Sequence, residues 1–583
     1  MRRRSLVLAV LFVLGAACVP ANLLAAEEPD LSLSALLAGG PERRPAPEVP
    51  GRGPGAALAG AAGLDTFPVG CATPLLLLLS RPEGPLDPSL RLAQTIAVAR
   101  PLLEAERVTA TRDGAFAIHF PAPAGSAAPL AIDRDRDGVP DAVDRLAEAL
   151  VAARSFLVAR LGYPPPTPDG EALDVFLVPL GHGLEGFAVP GRDAASQGPA
   201  RGTAFLVLDA DLPAERVMSA TLHQVAHACL LASAPRAAIW WSEASASFLT
   251  VAATGDLSGF GPALRARQRS AGRGLAADGL LLMQGSLLWP QFLAERTGDA
   301  GVVRQIWSEI AASGADPLAA ADRVLMRSSG MSLRQAFREF AAWNLFTGAQ
   351  DDGRHYAFGR SLPEPALAAA GAALPVDLDP VGEVEPLGSV AFRLPGDGRT
   401  GSLDLSVRSE GGRAGADLLV AFRSQAPNRV LVPVPLDAGG EGHVLVPWAD
   451  LAEAWIVLRN EGASGAGTRF QVRGLHDPVA PFDLASFTAQ GSGMSIVLEW
   501  TTASEKGLVG WNVYRSESPT GPFSRLNQVA VPAYGDGSSD TGYIFNDDGV
   551  RPGRRYYYLV EGLTEAGLAD RSHVVSGRSA ATR

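Results

Sequence analysis

The sequence predicts a multidomain chain in which an α+β domain is followed by two all-β sandwich modules. Three observations carry this. The 583 residues exceed what one hydrophobic core usually organises, since domains run to about 100–200 residues. Between about 85 and 380, short strand-like runs mix with long amphipathic helical patterns. Beyond about 380 that periodicity stops, and β-type runs recur every 10–15 residues between Gly, Asp and Asn turns.

Residues 1–26 place Arg2, Arg3 and Arg4 before an apolar run from Leu6 to Ala17 and a small-residue zone ending at Ala26. That is the layout of a secretory signal peptide. It predicts an exported protein, whether secreted, periplasmic or at the cell surface. Cys18 only loosely resembles a lipobox cysteine, because the expected Leu three positions earlier is missing, so lipidation is the lesser alternative. No later run reaches the ~18 apolar residues of a membrane helix, so the mature chain is expected to lack a transmembrane span. Residues 27–84 begin as an Ala/Gly/Pro-rich stretch without sustained periodicity and read as a low-complexity, propeptide-like leader. With Cys18 removed, Cys71 and Cys229 remain. A disulfide between them is permitted in an oxidising compartment, but spacing does not establish it.

In the 85–380 domain, FAIHF (116–120), LDVFLVPL (173–180) and TAFLVLDAD (203–211) read as strands. Helical patterns cover 142–161, 215–232, 242–253, 287–296, 300–313 and 332–346. The runs SVAFRL, GSLDLSV, DLLVAF, RVLVPVPL, HVLVPW and AWIVLRN then predict a β-sandwich over 381–476. A linker at 477–481 leads into a last module over 481–583, which resembles fibronectin type III domains in the placing of Trp500 and of the Pro552, Gly553 and Tyr556–Tyr558 run.

The net charge of −12, with Lys506 as the single lysine and no basic stripe, argues against a nucleic-acid partner. Two motifs carry chemistry. The first is DRDRDGVPDAVD. Asp133, Asp135 and Asp137 take positions one, three and five of a twelve-residue Ca²⁺ loop, and Gly138 takes the turn. The Val139 carbonyl falls at seven, with Asp141 and Asp144 at nine and twelve. Alternating carboxylates deliver oxygens to one side of a curling loop, as a hard cation requires. The alternative is that these acids solvate a turn and cap the helix that follows.

The second motif is the pair His223 and His227, which a helix sets on one face a turn apart, within reach of one Zn²⁺. Glu243 opens the next helical pattern sixteen residues beyond His227. Two packing histidines and a Glu favouring a helix dipole form the competing reading. The DxDxDGVPD loop, DVFLVPLGHGLEGF, the HxxxH helix, the WWSEASASF segment, GSLLWPQFLAERTGD and LRQAFREFAAWNLFTG, in this order, resemble a group of exported bacterial zinc metallopeptidases of gluzincin type. The resemblance implies a zincin-like fold over the α+β domain, zinc on His223, His227 and Glu243, and a peptide or protein ligand. Such enzymes carry a general-base Glu where this chain has Gln224, and a neutral carboxamide cannot take the proton from zinc-bound water. Reduced or lost hydrolysis is therefore expected. A non-catalytic surface binding or adhesion protein on the same scaffold is the alternative. Gln284 is the one polar side chain that GLLLMQGSLLW (279–289) offers where a Tyr or His would stabilise an oxyanion.

Overall fold

A computed structural model describes residues 70–79, 95, 98–122, 129–167, 171–192, 199–367, 374–399, 401–423, 429–448, 451–477, 482–492, 494–505, 507–518, 522–535, 541–564, 569–572 and 574–580. The signal-type segment, Cys18 and the first part of the leader lie outside these residues.

The N-terminal domain is built on a five-stranded mixed sheet of β1 (Arg107–Ala110), β2 (Phe116–Phe120), β3 (Leu173–Val178), β4 (Gly186–Arg192) and β5 (Pro199–Asp209). The strand order is β1-β2-β3-β5-β4. The inner pairs β2/β3 and β3/β5 are parallel, and both edge strands are antiparallel to their neighbours. The crossover from β2 to β3 is α2 (Asp141–Arg154), whose last turns widen into a π-helical coil over Ser155–Arg160. Parallel pairing demands such a crossover.

TAFLVLDAD lies inside the sheet, and the edge falls to GFAVPGR (186–192), a segment not among the expected strands. Gly186 is required there: a Cβ would stand 2.7 Å from the Val207 carbonyl oxygen and 3.2 Å from Gln224 Cγ.

The helices follow β5. They are α3 (Ala214–Ser233), α4 (Ile239–Thr254), α5 (Gly261–Arg269), α6 (Leu280–Gly285), α7 (Leu288–Thr297), α8 (Val302–Ser313), α9 (Pro317–Ser329) and α10 (Leu333–Trp343). Local signals set their ends. Asp316 caps α9 ahead of Pro317, a Ser332/Gln335 capping box starts α10, and Gly255 in the left-handed region at φ 69° stops α4. Helix α3 is buried along almost its whole length, packed against β4, β5, α2 and α4. Its histidines therefore sit inside the domain.

The domain begins earlier than the expected boundary at 85. Cys71 and a short helix α1 (Thr73–Leu79) belong to its core, with Leu75, Leu76, Leu77 and Leu79 buried. The unbroken leucine run has no amphipathic period because every side of it is covered.

The second module pairs two four-stranded sheets, in orders β10-β9-β12-β7 and β11-β8-β13-β6. Its strands are β6 (Val376–Val384), β7 (Ser389–Pro395), β8 (Ser402–Glu410), β9 (Ala414–Phe422), β10 (Arg429–Val434), β11 (Glu441–Pro447), β12 (Leu451–Asn460) and β13 (Thr468–Asp477). Strand β6 straddles the expected boundary at 380. A cluster of Ala341, Leu345 and Phe346 with Ala391, Leu419, Trp455 and Val457 seals this sandwich to the end of α10.

The last module packs β14 (Phe482–Ser492), β15 (Ser495–Glu505) and β19 (Thr541–Asp547) against a sheet led by β16 (Leu508–Ser516) and β20 (Arg555–Thr564). Trp500, Trp511 and Tyr558 fill the space between the sheets. The Arg551 amide donates to Tyr556 Oη at 3.2 Å, a tie of tyrosine-corner kind at the start of the late strand.

Candidate metal centre

Helix α3 brings His223 and His227 to one face, and the first turns of α4 bring Glu243 across from them. The ligand-type atoms converge. His227 Nε2 lies 3.2 Å from His223 Nε2 and 3.1 Å from Glu243 Oε2, and His223 Nε2 lies 3.4 Å from Glu243 Oε1. A tetrahedron with donors about 2.1 Å from its centre has edges of roughly 3.4 Å, so these separations are those of a zinc-type ligand set.

The outer ring nitrogens are held as well. His227 Nδ1 faces Ser242 Oγ at 3.3 Å and His223 Nδ1 faces Thr250 Oγ1 at 3.5 Å, which fixes the rings with Nε2 inward. Gln284 Nε2 donates to Glu243 Oε1 at 3.3 Å, so this amide orients a carboxylate.

A fourth group enters from far away in sequence. Cys71 Sγ stands 3.5 Å from His227 Nε2, and Cys71, His223, His227 and Glu243, all buried, form one cluster with their ligand atoms within 4.8 Å of one another. Cys71 and Cys229 are both free thiols, so the permitted disulfide is not formed. Two positions along α3 from His227, Cys229 points the opposite way, into apolar packing that pushes its thiol up to about 12.

The groups polarise one another. Burial pushes Glu243 up, but the two imidazoles outweigh it and hold the carboxylate well below its ordinary range. Burial lowers His223, and Glu243 with Cys71 more than offsets this, so its imidazole is raised. In a dry site four such groups are tolerable only as a mutually neutralised set.

Gln224, one residue past His223, points to the same side. Its Oε1 accepts from Thr73 Oγ1 at 3.2 Å, and Thr73 Oγ1 in turn accepts from the Ala188 amide of β4 at 3.0 Å. The cavity above these groups measures about 120 Å³, lined by Cys71, Glu185, Arg216, His223, Gln224 and Gln284 among others. Small-molecule clefts commonly hold about 300–1,000 Å³, so this one is small for an organic ligand and holds a few waters.

The acidic loop lies apart, between β2 and α2. Asp133, Asp135 and Asp137 gather their oxygens within 4.8 Å. Asp133 accepts from the Arg136 and Gly138 amides, and Asp137 accepts from that of Val139. The curl needs Arg136 at φ 62° and Gly138 at φ 93°, both in the left-handed region. Asp144 faces the loop: burial first, and then the charges of Asp137, Asp135, Asp141 and Asp133, raise its carboxyl. Asp141, expected as a ligand at the ninth position, instead accepts from the Arg134 amide at 2.8 Å and pairs with that guanidinium. Its place at the first turn of α2 turns it back along the loop.

No protein-family model matches the chain, and no curated protein sequence matches it. Solved structures similar to parts of it include β modules. An Fn3-like protein from Clostridium thermocellum is 21% identical over 18% of this chain and 95% of its own, with a TM-score of 0.14. The pre-peptidase C-terminal domain of a Bacillus anthracis collagenase is 15% identical over 19% of this chain and 99% of its own, at 0.15. The FN1–FN3 domains of chicken CNTN1 are 12% identical over 32% of this chain and 66% of theirs, at 0.14. At such identities the likeness concerns fold alone. Among the described residues, no helix is long and apolar enough to cross a membrane.

Proposed function

We propose that the chain is an exported protein of zinc-metallopeptidase plan in which His223, His227 and Glu243 hold Zn²⁺ and peptide-bond hydrolysis is strongly reduced or lost. The observation that carries this is the set of tetrahedral-edge distances among the three ligands, with Gln224 at the position of the base. Bound there, zinc would supply Lewis-acid polarisation of a carbonyl and an acidified water. Ser242 and Thr250 set the imidazole orientation, and Gln284 sets that of Glu243. Gln224 has no basic lone pair to receive a proton, and its oxygen is already engaged by Thr73. A missing general base costs typically ~10²–10⁴ in rate. The small cavity favours the non-catalytic version of this reading, a peptidase-type scaffold whose β modules meet a peptide or protein ligand.

The purified chain is expected to carry one equivalent of zinc, lost in His227→Ala, and to cleave casein no faster than that variant. Gln224→Glu, which restores the carboxylate but no space, should stay within tenfold of wild type. Robust, chelator-sensitive cleavage by the wild type would overturn the reading, as would absence of zinc from a folded chain.

We also propose that Asp133, Asp135 and Asp137 bind Ca²⁺ with the Val139 carbonyl and Asp144, and with Asp141 once it leaves Arg134. Ligand at ~100-fold above its dissociation constant adds about 2.7 kcal/mol, which is roughly 5 °C in a domain of this size. Millimolar Ca²⁺ should raise the melting temperature by about that much in wild type and not in Asp135→Ala. No shift in wild type would exclude the site.

A further inference from the structure

We infer that Cys71 is a permanent fourth ligand of the zinc shell, so that the segment from Gly70 to Thr73 fills the position where a catalytic zinc would keep its water. The inference rests on the zinc reading above and specifies it: the shell is closed, and the centre belongs to the structural kind rather than the catalytic kind. Structural zinc sites are four-coordinate with protein ligands throughout, whereas catalytic ones leave one position open.

Four independent features of this chain converge on it. The first is distance. A sulfur at about 2.3 Å and a nitrogen at about 2.1 Å in a tetrahedral shell stand roughly 3.6 Å apart, and Cys71 Sγ is 3.5 Å from His227 Nε2.

The second is charge. Two neutral imidazoles, one carboxylate and one thiolate carry a total of two negative charges and would cancel a divalent cation in a pocket where His227 and Glu243 are 0% exposed and Cys71 is 1% exposed. Without the thiolate the same shell would carry one net positive charge and keep a water or hydroxide at its open position, as catalytic zinc on two His and one Glu does.

The third is how the cysteine is delivered. The Gly70 carbonyl accepts from the Glu185 and Gly186 amides at 2.8 and 3.1 Å, and the Ala72 amide donates to the Gly186 carbonyl at 3.3 Å. The segment therefore lies along the free edge of β4, where an extended peptide would otherwise add as a strand. Helix α1 follows at once, and its buried leucines fix it in the domain core. A thiol on such an anchor does not swing away to admit substrate.

The fourth is Gln224. Its Oε1 receives the Thr73 hydroxyl, and that hydroxyl receives the Ala188 amide. The residue at the base position thus clamps the segment that closes the shell, and Gln224 is here a positioning residue.

The test uses the full chain loaded with Co²⁺ in place of zinc. Thiolate ligation gives a near-ultraviolet sulfur-to-cobalt charge-transfer band, and tetrahedral geometry gives intense visible absorption. Both are expected in wild type. They should also survive in Cys18→Ser/Cys229→Ala, which leaves Cys71 as the single thiol of the three cysteines in the chain, so the assignment stands even where Cys71→Ser fails to fold. In a folded Cys71→Ser variant the band should vanish and affinity should fall by more than the ~10–100-fold typical of losing an outer hydrogen-bond partner. One equivalent of bound cobalt without a charge-transfer band would overturn the fourth ligand while leaving the three-ligand site intact. Failure of the folded wild type to bind cobalt or zinc at all would overturn both.

Discussion

Stripping the metal is expected to lower the melting temperature of the N-terminal domain by roughly 10 °C or more, while the transition of residues 482–580 stays where it is. The four candidate ligands sit beside the largest core, on α3, α4 and the turn before α1, so a bound ion would join three elements held otherwise by apolar packing and a few hydrogen bonds. Structural zinc contributes about 10–16 kcal/mol to the folding of small peptides. The effect here is smaller, because this domain has a core of its own and the emptied ligands can share protons among themselves. A loss of about 5 kcal/mol, at ~2 °C per kcal/mol for a domain of this length, gives the stated shift. Calorimetry on the zinc-loaded and chelator-treated chain measures it, and re-addition of zinc should reverse it. A shift below about 2 °C would show that the shell contributes nothing to holding the domain together.

The second large effect concerns the joint between the helical domain and the first sandwich. Asp417 of β9 is 1% exposed and accepts from two arginines: Arg338 of α10, at 2.6 and 3.0 Å, and Arg459 of β12, at 2.5 Å. Arg459 is itself buried and also reaches Glu461 at 3.0 Å, which in turn pairs with Arg334 of α10. Asp417→Ala leaves Arg459 with one partner and Arg338 with none from β9. Breaking one side of a buried ion pair costs about 3–5 kcal/mol, so urea denaturation followed by tryptophan fluorescence should show a destabilisation of that size. Trp455 in the adjoining cluster is one of the nine tryptophans that contribute to that signal. Asp417→Asn keeps the shape and part of the hydrogen bonding and should cost less. A change under 1 kcal/mol in the Ala variant would mean that solvent reaches these arginines readily.

Much of the architecture was readable from periodicity. The long helices α3, α4, α8 and α10 fall close to the patterns at 215–232, 242–253, 300–313 and 332–346, because each must bury a face or a full circumference and its caps are local. The pair His223 and His227 needed nothing beyond helical geometry, and Glu243 needed only a second helix folding back. Cys71 was not legible as their neighbour. It lies 156 residues before His227, and no spacing rule reaches across a whole sheet. The one available signal was a cysteine four residues before an unbroken leucine run, an odd content for a disposable leader. The edge strand β4 was missed for a related reason. Strand identity can be read from β-branched content, but the order of strands in the sheet is decided by pairing, and GFAVPGR, poor in strand formers, takes the edge where a proline is tolerated. Asp141 shows the limit of a loop pattern: spacing gives its position, while Arg134, also in the loop, decides where its carboxylate points.

The short backbone pairing of Gly70 and Ala72 with β4 has a meaning for solubility as well as for coordination. An uncovered strand edge is a template on which another chain can add, and proteins blunt such edges with short strands, charges or a covering segment. The opposite edge, β1, is only four residues long and mostly exposed. At β4 the guard is the chain itself, stapled down through the same cysteine that completes the shell. Where that staple is released, the start of the β4 edge is uncovered beside the ligand cluster, so in the four-ligand reading loss of metal and exposure of a strand edge go together.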